Sequence, residues 1–197
     1  MKRVFIIHRW SGSPEGDWYP WLKKELEQRG FEVFVPAMPN TDEPKIEEWI
    51  PFLANIVGEP DENTYFVGHS IGCQAIIRYL QTLPDGVKIG GGIFVAGWFN
   101  LSEFSFKEEP SEEEESRIIA KPWMEMPINF EKIKKTTNNF IAVFSDNDPY
   151  VPLDDKDIFK EKLGAEIIIE YNKGHFSGSD GITELPIVLD SLLKMSE

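Results

Sequence analysis

Apolar residues recur along the chain in two rhythms. Residues 4–7, 31–35, 65–67, 89–96, 140–144 and 167–170 are short, nearly unbroken runs of β-branched and aromatic side chains. Runs of that length and composition are the mark of strands buried on both faces. Between them the apolar positions recur every three to four residues, the period of a helix with one buried stripe. Trp18, Trp21, Leu22 and Leu26 place such a helix over 18–29, with Asp17 as its N-cap and Gly30 as its stop. Ile46, Trp49, Ile50, Leu53, Ile56 and Val57 predict a second helix, and Pro51 falls inside it, where proline kinks or splits a helix. Further helices are predicted over 73–83, 155–162 and 182–195.

Strand–helix alternation from end to end predicts an α/β fold: a parallel sheet of about six strands, helices on both faces, right-handed crossovers. Residues 1–197 read as a single domain, with no repeat and no linker. Residues 98–127 break the rhythm. No strand is legible there, and the stretch carries Glu108-Glu109-Pro110-Ser111 followed by four more glutamates. The same stretch holds Trp98, Phe99, Leu101, Phe104, Phe106, Trp123 and Met124, more apolar surface than a solvated loop needs. A short apolar flap with an acidic outer face, serving as a minimal cap, accounts for both.

Composition narrows the function. The hydrophobic content of 41%, with 14 Phe and 6 Trp, belongs to a globular chain. A net charge of −14 repels phosphate backbones and argues against nucleic acid. The lone cysteine, Cys73, permits no internal disulfide and reads as a small buried apolar residue. No run approaches the ~18 apolar residues of a membrane span, and residues 1–3 lead straight into the first strand, so a cytoplasmic setting is expected. One Cys and three scattered His give no zinc spacing, and Asp146-x-Asp148 lacks the rest of a calcium loop. No glycine-rich nucleotide motif follows the first strand. No cofactor and no metal is expected.

The chemistry gathers at Gly68-His69-Ser70-Ile71-Gly72, a Gly-x-Ser-x-Gly sequence between a predicted strand and a predicted helix. A serine at the apex of so sharp a turn sits on strained backbone, and only glycine two positions away on either side avoids the neighbouring elements. The hydroxyl then stands beyond the carboxyl end of the sheet, and the next amide, on Ile71, opens a helix and faces any oxyanion formed there. Serine needs a base. Of the three histidines, His8 follows the first strand, His69 points away from Ser70, and His175 follows the last strand, where loops of a doubly wound sheet converge. A carboxylate must orient that imidazole. Asp146 and Asp148 compete; Pro149 stiffens the turn after Asp148 and favours it, while Asp146 suits a turn cap. The second oxyanion amide is expected in the loop after the first strand, on Trp10. Arg9, His69, Trp98 and Phe99 are the candidate pocket residues.

These motifs resemble the α/β-hydrolase superfamily, and within it the small, nearly lidless serine hydrolases of the RBBP9/YdeN type. The likeness spans almost the whole chain: His8 with Trp18 and Trp21 behind it, Gly-His-Ser-x-Gly, Asp148-Pro149-Tyr150-Val151-Pro152, and Gly174-His175-Phe176. The resemblance implies a triad of Ser70, Asp148 and His175. Arg9 departs from the His-Gly of many relatives and is expected either to crowd the oxyanion loop or to offer a cation to an anionic substrate. The function expected is a carboxylesterase-like serine hydrolase acting on a small ester, thioester or amide through an acyl-enzyme. The competing reading is a non-catalytic protein-interaction module on the same fold.

Overall fold

The computed structural model describes residues 1–106 and 110–197. Six strands form one wholly parallel sheet: β1 (Arg3–Ile7), β2 (Glu32–Phe34), β3 (Thr64–His69), β4 (Gly91–Val95), β5 (Phe140–Ser145) and β6 (Glu166–Glu170), in the spatial order β2-β1-β3-β4-β5-β6. The central strands β3, β4 and β5 are buried at every residue, while β2 and β6 at the edges are partly open. That is why the central strands read as continuous apolar runs in sequence: a strand covered on both faces has no polar side.

The helices are α1 (Tyr19–Glu27), α2 (Ile46–Val57), α3 (Ile71–Leu80), α4 (Pro110–Glu125), α5 (Phe130–Lys134), α6 (Asp155–Ile158, continued as a π turn over Phe159–Leu163) and α7 (Pro186–Met195). The path from β1 to β2 runs one way along the sheet and that from β2 to β3 runs back across β1. With right-handed crossovers, α1 and α2 therefore lie on opposite faces. The packing agrees, α1 touching α7 while α2 touches α3. In register, Ile7 pairs with Gly68 and Gly68 with Phe94, so the ends of β1, β3 and β4 lie side by side. Loops leaving these ends, and those of β5 and β6, meet along one rim.

Three local expectations are corrected. Pro51 does not split α2, which runs unbroken through it. Pro51 and Glu47, whose carbonyl it leaves without an intrahelical donor, are both exposed, on the side of the helix where solvent can reach. Asp17 does not cap α1: Trp18 is the N-cap, without a side-chain cap bond, and Asp17 is spent elsewhere. The last helix begins at Pro186, not near 182, because proline at the first helical position has no N–H to leave unpaired. Residues 98–127, as expected, hold no strand among the described residues. They hold a 3₁₀ turn (Glu103–Phe106) and the sixteen-residue α4. Ala120 and Trp123 of α4 are buried and Glu114 and Glu115 exposed, so the acidic outer face holds for those two; Glu108 and Glu109 lie outside the described residues, as do the side chains of Phe104 and Phe106.

The buried Arg78 of α3 fixes α4 to the body. Its Nη2 donates to the carbonyls of Trp123 (2.7 Å) and Met126 (3.1 Å) at the end of α4, and its guanidinium lies 6.0 Å from the Trp123 ring. Burial lowers the Arg78 pKa to about 10, leaving it cationic where the helix dipole favours a cation. Among the described residues, no helix is long and apolar enough to cross a membrane.

Candidate active site

Ser70 sits between β3 and α3 with φ +53° and ψ −120°, a conformation that L-residues rarely adopt. The turn is held by Ser70 N–H, which donates to Val95 O at 2.9 Å, and by Cys73 N–H, which donates to Ser70 O at 3.0 Å. The flanking glycines are obligatory. A Cβ on Gly68 would stand 2.7 Å from the Cys73 nitrogen, and one on Gly72 would run into the Ile7 carbonyl oxygen. Cys73 is buried, with its Sγ 3.4 Å from Val95 O, and burial drives its pKa up. It is the inert thiol that the sequence suggested.

His175 faces the same cavity as Ser70. Its Nδ1 donates to Asp148 Oδ2 at 2.8 Å, which leaves Nε2 as the lone-pair nitrogen on the other side of the ring. Asp148 is itself fixed, because Oδ1 accepts from the N–H groups of Tyr150 (2.9 Å) and Val151 (3.1 Å). Asp146 has the other task foreseen for it: Oδ1 accepts from Asn172 N–H at 2.8 Å and stays away from the imidazole. No hydrogen bond among the described residues joins Ser70 to His175. The Ser70 hydroxyl instead accepts from the indole Nε1 of Trp98 at 3.3 Å. Such contacts commonly tighten only when substrate binds.

The two amides picked out from sequence are both left open. Ile71 N–H begins α3, and neither it nor Trp10 N–H has an acceptor among the described residues. The Arg9–Trp10 peptide is held by its carbonyl, which takes Nδ1–H of His8 (2.8 Å) and N–H of Gly12 (3.0 Å). In a trans peptide the N–H points opposite to the C=O, so pinning Arg9 O fixes the direction of Trp10 N–H. His8 can donate through Nδ1 because its Nε2 accepts from Met38 N–H at 3.1 Å; burial lowers its pKa and keeps it neutral.

Of the candidate pocket residues, Arg9 and Trp98 line the cavity, which measures about 370 Å³, and the oxyanion candidate Trp10 lines it too. His69 and Phe99 do not. Phe99 packs its ring on Phe130 and Phe159. His69 is fully buried beneath His175: its Nε2 donates to His175 O at 2.7 Å, and its Nδ1 accepts from Tyr19 Oη at 2.6 Å. Burial, reinforced by the nearby His175 ring, lowers the pKa of His69 to about 3. This sets a pH dependence of stability. The unfolded chain protonates His69 near its ordinary value of 6.5 while the folded chain does not. Stability is therefore present above that value and is lost as pH falls toward 3, at about 1.4 kcal/mol per pH unit across the window. His8, also lowered, acts in the same sense. Denaturant titrations at pH 7 and 4.5 should show this loss, and His69→Gln, less stable at pH 7, should show a shallower one.

Several residues that matter here escaped sequence reading. Asp17, with a side chain only 4% exposed, accepts from Arg9 Nε at 2.8 Å and from Gly178 N–H at 2.7 Å, tying the loop after β1 to the loop of His175. Burial works to raise its pKa, but Gly178 N–H, His69 and Arg9 outweigh it and hold the carboxylate ionised. Arg9 thus spends its charge on Asp17, and its Nη1 on Trp10 O (3.1 Å); it props the loop rather than crowding it. Asp180 accepts from the N–H groups of His175 (2.9 Å) and Ser177 (3.0 Å). The Ser177-x-x-Asp180 spacing, a capping-box signature, was the signal that could have found it. Asn147 Oδ1 takes Gly174 N–H at 2.9 Å, and nothing in the local pattern announces that.

A serine hydrolase family profile matches residues 4–194. The chain belongs to that serine hydrolase family. This serine hydrolase is 31% identical to YdeN of Bacillus subtilis (strain 168) over 192 residues, 97% of this chain and 94% of that protein. It is 28% identical over 177 residues to serine hydrolase RBBP9 of Rattus norvegicus, 89% of this chain and 86% of that protein. The crystal structure of the B. subtilis ydeN product superposes with a TM-score of 0.86 over 99% of this chain and 98% of that one. A Xanthomonas campestris pv. campestris protein of the alpha/beta hydrolase superfamily, 13% identical, has a TM-score of 0.65 over 98% of this chain and 99% of that one, and so shares its fold. Within the serine hydrolase fold, the rim at the ends of β1, β3, β4, β5 and β6 is where Ser70, Asp148 and His175 lie.

Proposed function

We propose that this serine hydrolase is a carboxylesterase-like enzyme that cleaves small, polar acyl esters through Ser70, His175 and Asp148. The observation that carries the reading is the 2.8 Å bond from His175 Nδ1 to a doubly anchored Asp148 beside the cavity that Ser70 shares. That bond fixes the tautomer in which Nε2 can take a proton. Ser70 Oγ attacks the ester carbonyl carbon while its proton passes to His175 Nε2. The N–H groups of Ile71 and Trp10 receive the oxyanion. The carbon–oxygen bond to the alcohol breaks, and His175 returns the proton to the departing alkoxide. Water then attacks the acyl-enzyme by the same steps, giving up its proton to His175, and the acid leaves as Ser70 is restored.

The lining argues for the size and polarity of the substrate. Besides Ser70, five serines reach the cavity: Ser11, Ser105, Ser116, Ser177 and Ser179; Leu101 is the one aliphatic side chain among the described lining residues. A long acyl chain gains ~0.8 kcal/mol for each methylene buried against apolar wall, and here that wall is limited to Leu101, Trp10, Trp98 and Tyr150, enough for a short chain. Hydrolysis of p-nitrophenyl esters of increasing acyl length tests the reading. kcat/KM should not rise from acetate and butyrate to laurate, since the methylenes beyond that wall collect no burial energy. A preference for laurate would refute the substrate class. No turnover of any ester, together with no labelling of Ser70 by a fluorophosphonate in folded protein, would leave the interaction-module reading in its place.

A further inference from the structure

Trp98 is held in place as firmly as the serine it touches. It follows β4 by way of Ala96, at φ +46°, and Gly97, where a Cβ would collide with the Phe159 ring. Its carbonyl accepts from Gln74 Nε2 of α3 at 2.6 Å. Val95 O, three residues earlier, accepts from Ser70 N–H and from Cys73 Sγ. The end of β4 is thereby locked to the Ser70 turn from both sides. The indole, 1% exposed, lines the cavity and aims Nε1–H at Ser70 Oγ, 3.3 Å away. Trp98 Nε1 is the one hydrogen-bond partner of that hydroxyl among the described residues, and His175 Nε2 has none.

We propose that Trp98 is a positioning residue for the nucleophile, acting through its indole N–H rather than as a wall of the pocket. The inference rests on the catalytic reading of Ser70 and His175 given above. A hydroxyl has one proton to donate and lone pairs to accept with. An indole has a donor and no acceptor. The contact therefore has one polarity: Trp98 occupies a lone pair of Ser70 Oγ and cannot take its proton. That holds the oxygen to one rotamer while leaving the proton for His175 Nε2. The same N–H serves again in the second half-reaction, where Oγ becomes the leaving group from the acyl-enzyme and gains negative charge as the bond to the acyl carbon breaks. The charge then meets a donor already in place, without reorganisation.

The test separates the N–H from the ring. Replacing Trp98 by benzothienylalanine exchanges N–H for sulfur in an isosteric ring; Trp98→Phe is the simpler companion. With a fluorophosphonate, Ser70 Oγ bonds to phosphorus, fluoride leaves, and the hydroxyl proton goes to His175. Both variants should react about threefold to tenfold more slowly than the parent, the worth of one hydrogen bond. kcat for p-nitrophenyl acetate should fall by a like factor with KM within about twofold of the parent. In the parent, the indole ¹H–¹⁵N resonance missing from Trp98→Phe should shift when Ser70 is phosphonylated. A benzothienylalanine variant that labels at the parent rate overturns the inference, as does a loss carried by KM alone. If the parent itself is not labelled at Ser70, the catalytic reading falls and this one with it, so the two failures are distinguishable.

Discussion

Replacing Ser70 by alanine should abolish ester hydrolysis, lowering kcat by about 10⁵–10⁶-fold, the loss recorded when the nucleophile of a serine triad is removed. The fold should survive. The strain at residue 70 belongs to its backbone, at φ +53°, and alanine inherits it unchanged. The turn is fixed by backbone bonds from Ser70 N–H to Val95 O and from Cys73 N–H to Ser70 O, neither of which uses the hydroxyl. The side chain forfeits one contact, with Trp98 Nε1, which limits the stability change to about 1 kcal/mol. The two readouts are the p-nitrophenyl acetate rate over the buffer background and the denaturant midpoint. A variant that keeps a tenth or more of the parent rate would refute the assignment of Ser70, whatever its stability.

The second large effect belongs to Asp148→Asn, which should cost about 10⁴-fold in kcat, the scale seen when an orienting carboxylate is made neutral. The structure says why a nearly isosteric change is so severe. Asp148 Oδ1 accepts from two backbone N–H groups, those of Tyr150 and Val151. An asparagine must place its amide oxygen there, since its NH₂ would confront two donors. The NH₂ then faces His175 Nδ1, at the position where Oδ2 now lies 2.8 Å away. Facing a donor, Nδ1 must become the acceptor, and the imidazole proton moves to Nε2. An imidazole protonated at Nε2 cannot receive the Ser70 proton. Asp146→Asn is the control. Its carboxylate caps Asn172 N–H at 2.8 Å, a task an amide oxygen also performs, so activity should stay within about tenfold of the parent. Equal losses in the two variants would mean that the loop, and not the tautomer, is what Asp148 maintains.

The legibility of the site follows from how each residue acts. Gly68 and Gly72 were readable because their constraint is steric and local: the colliding atoms belong to the adjacent turn and to the strand beside it. Asp148 was favoured over Asp146 through Pro149, again a local cause. Asp17 misled for the opposite reason. Its place before a helical pattern suits a cap, yet its partners are eight residues away at Arg9 and 161 residues away at Gly178. Pro51 misled because proline's cost in a helix depends on whether the freed carbonyl meets water, which is a matter of exposure. His69 points away from Ser70, as the turn requires, and burial under His175 rather than a place in the cavity follows from that. Trp98 lines the cavity, and nothing in the local sequence hints that its N–H meets the hydroxyl.

The sequence by itself determined the alternation of strands and helices and the strained serine turn, and offered His175 and two competing carboxylates to go with it. Each of these depends on periodicity, on sterics within a few residues, or on residue type. Tertiary structure alone decided which carboxylate meets the imidazole, which way the Trp10 amide points, and that Arg9 and Asp17 neutralise one another. It also decided that α4 is anchored through Arg78 while the segment before it and α4 itself bring Leu101, Ser105 and Ser116 to the cavity. Those are contacts between residues far apart in the chain, and their geometry exists only once the parallel sheet has brought the ends of its strands to a common rim.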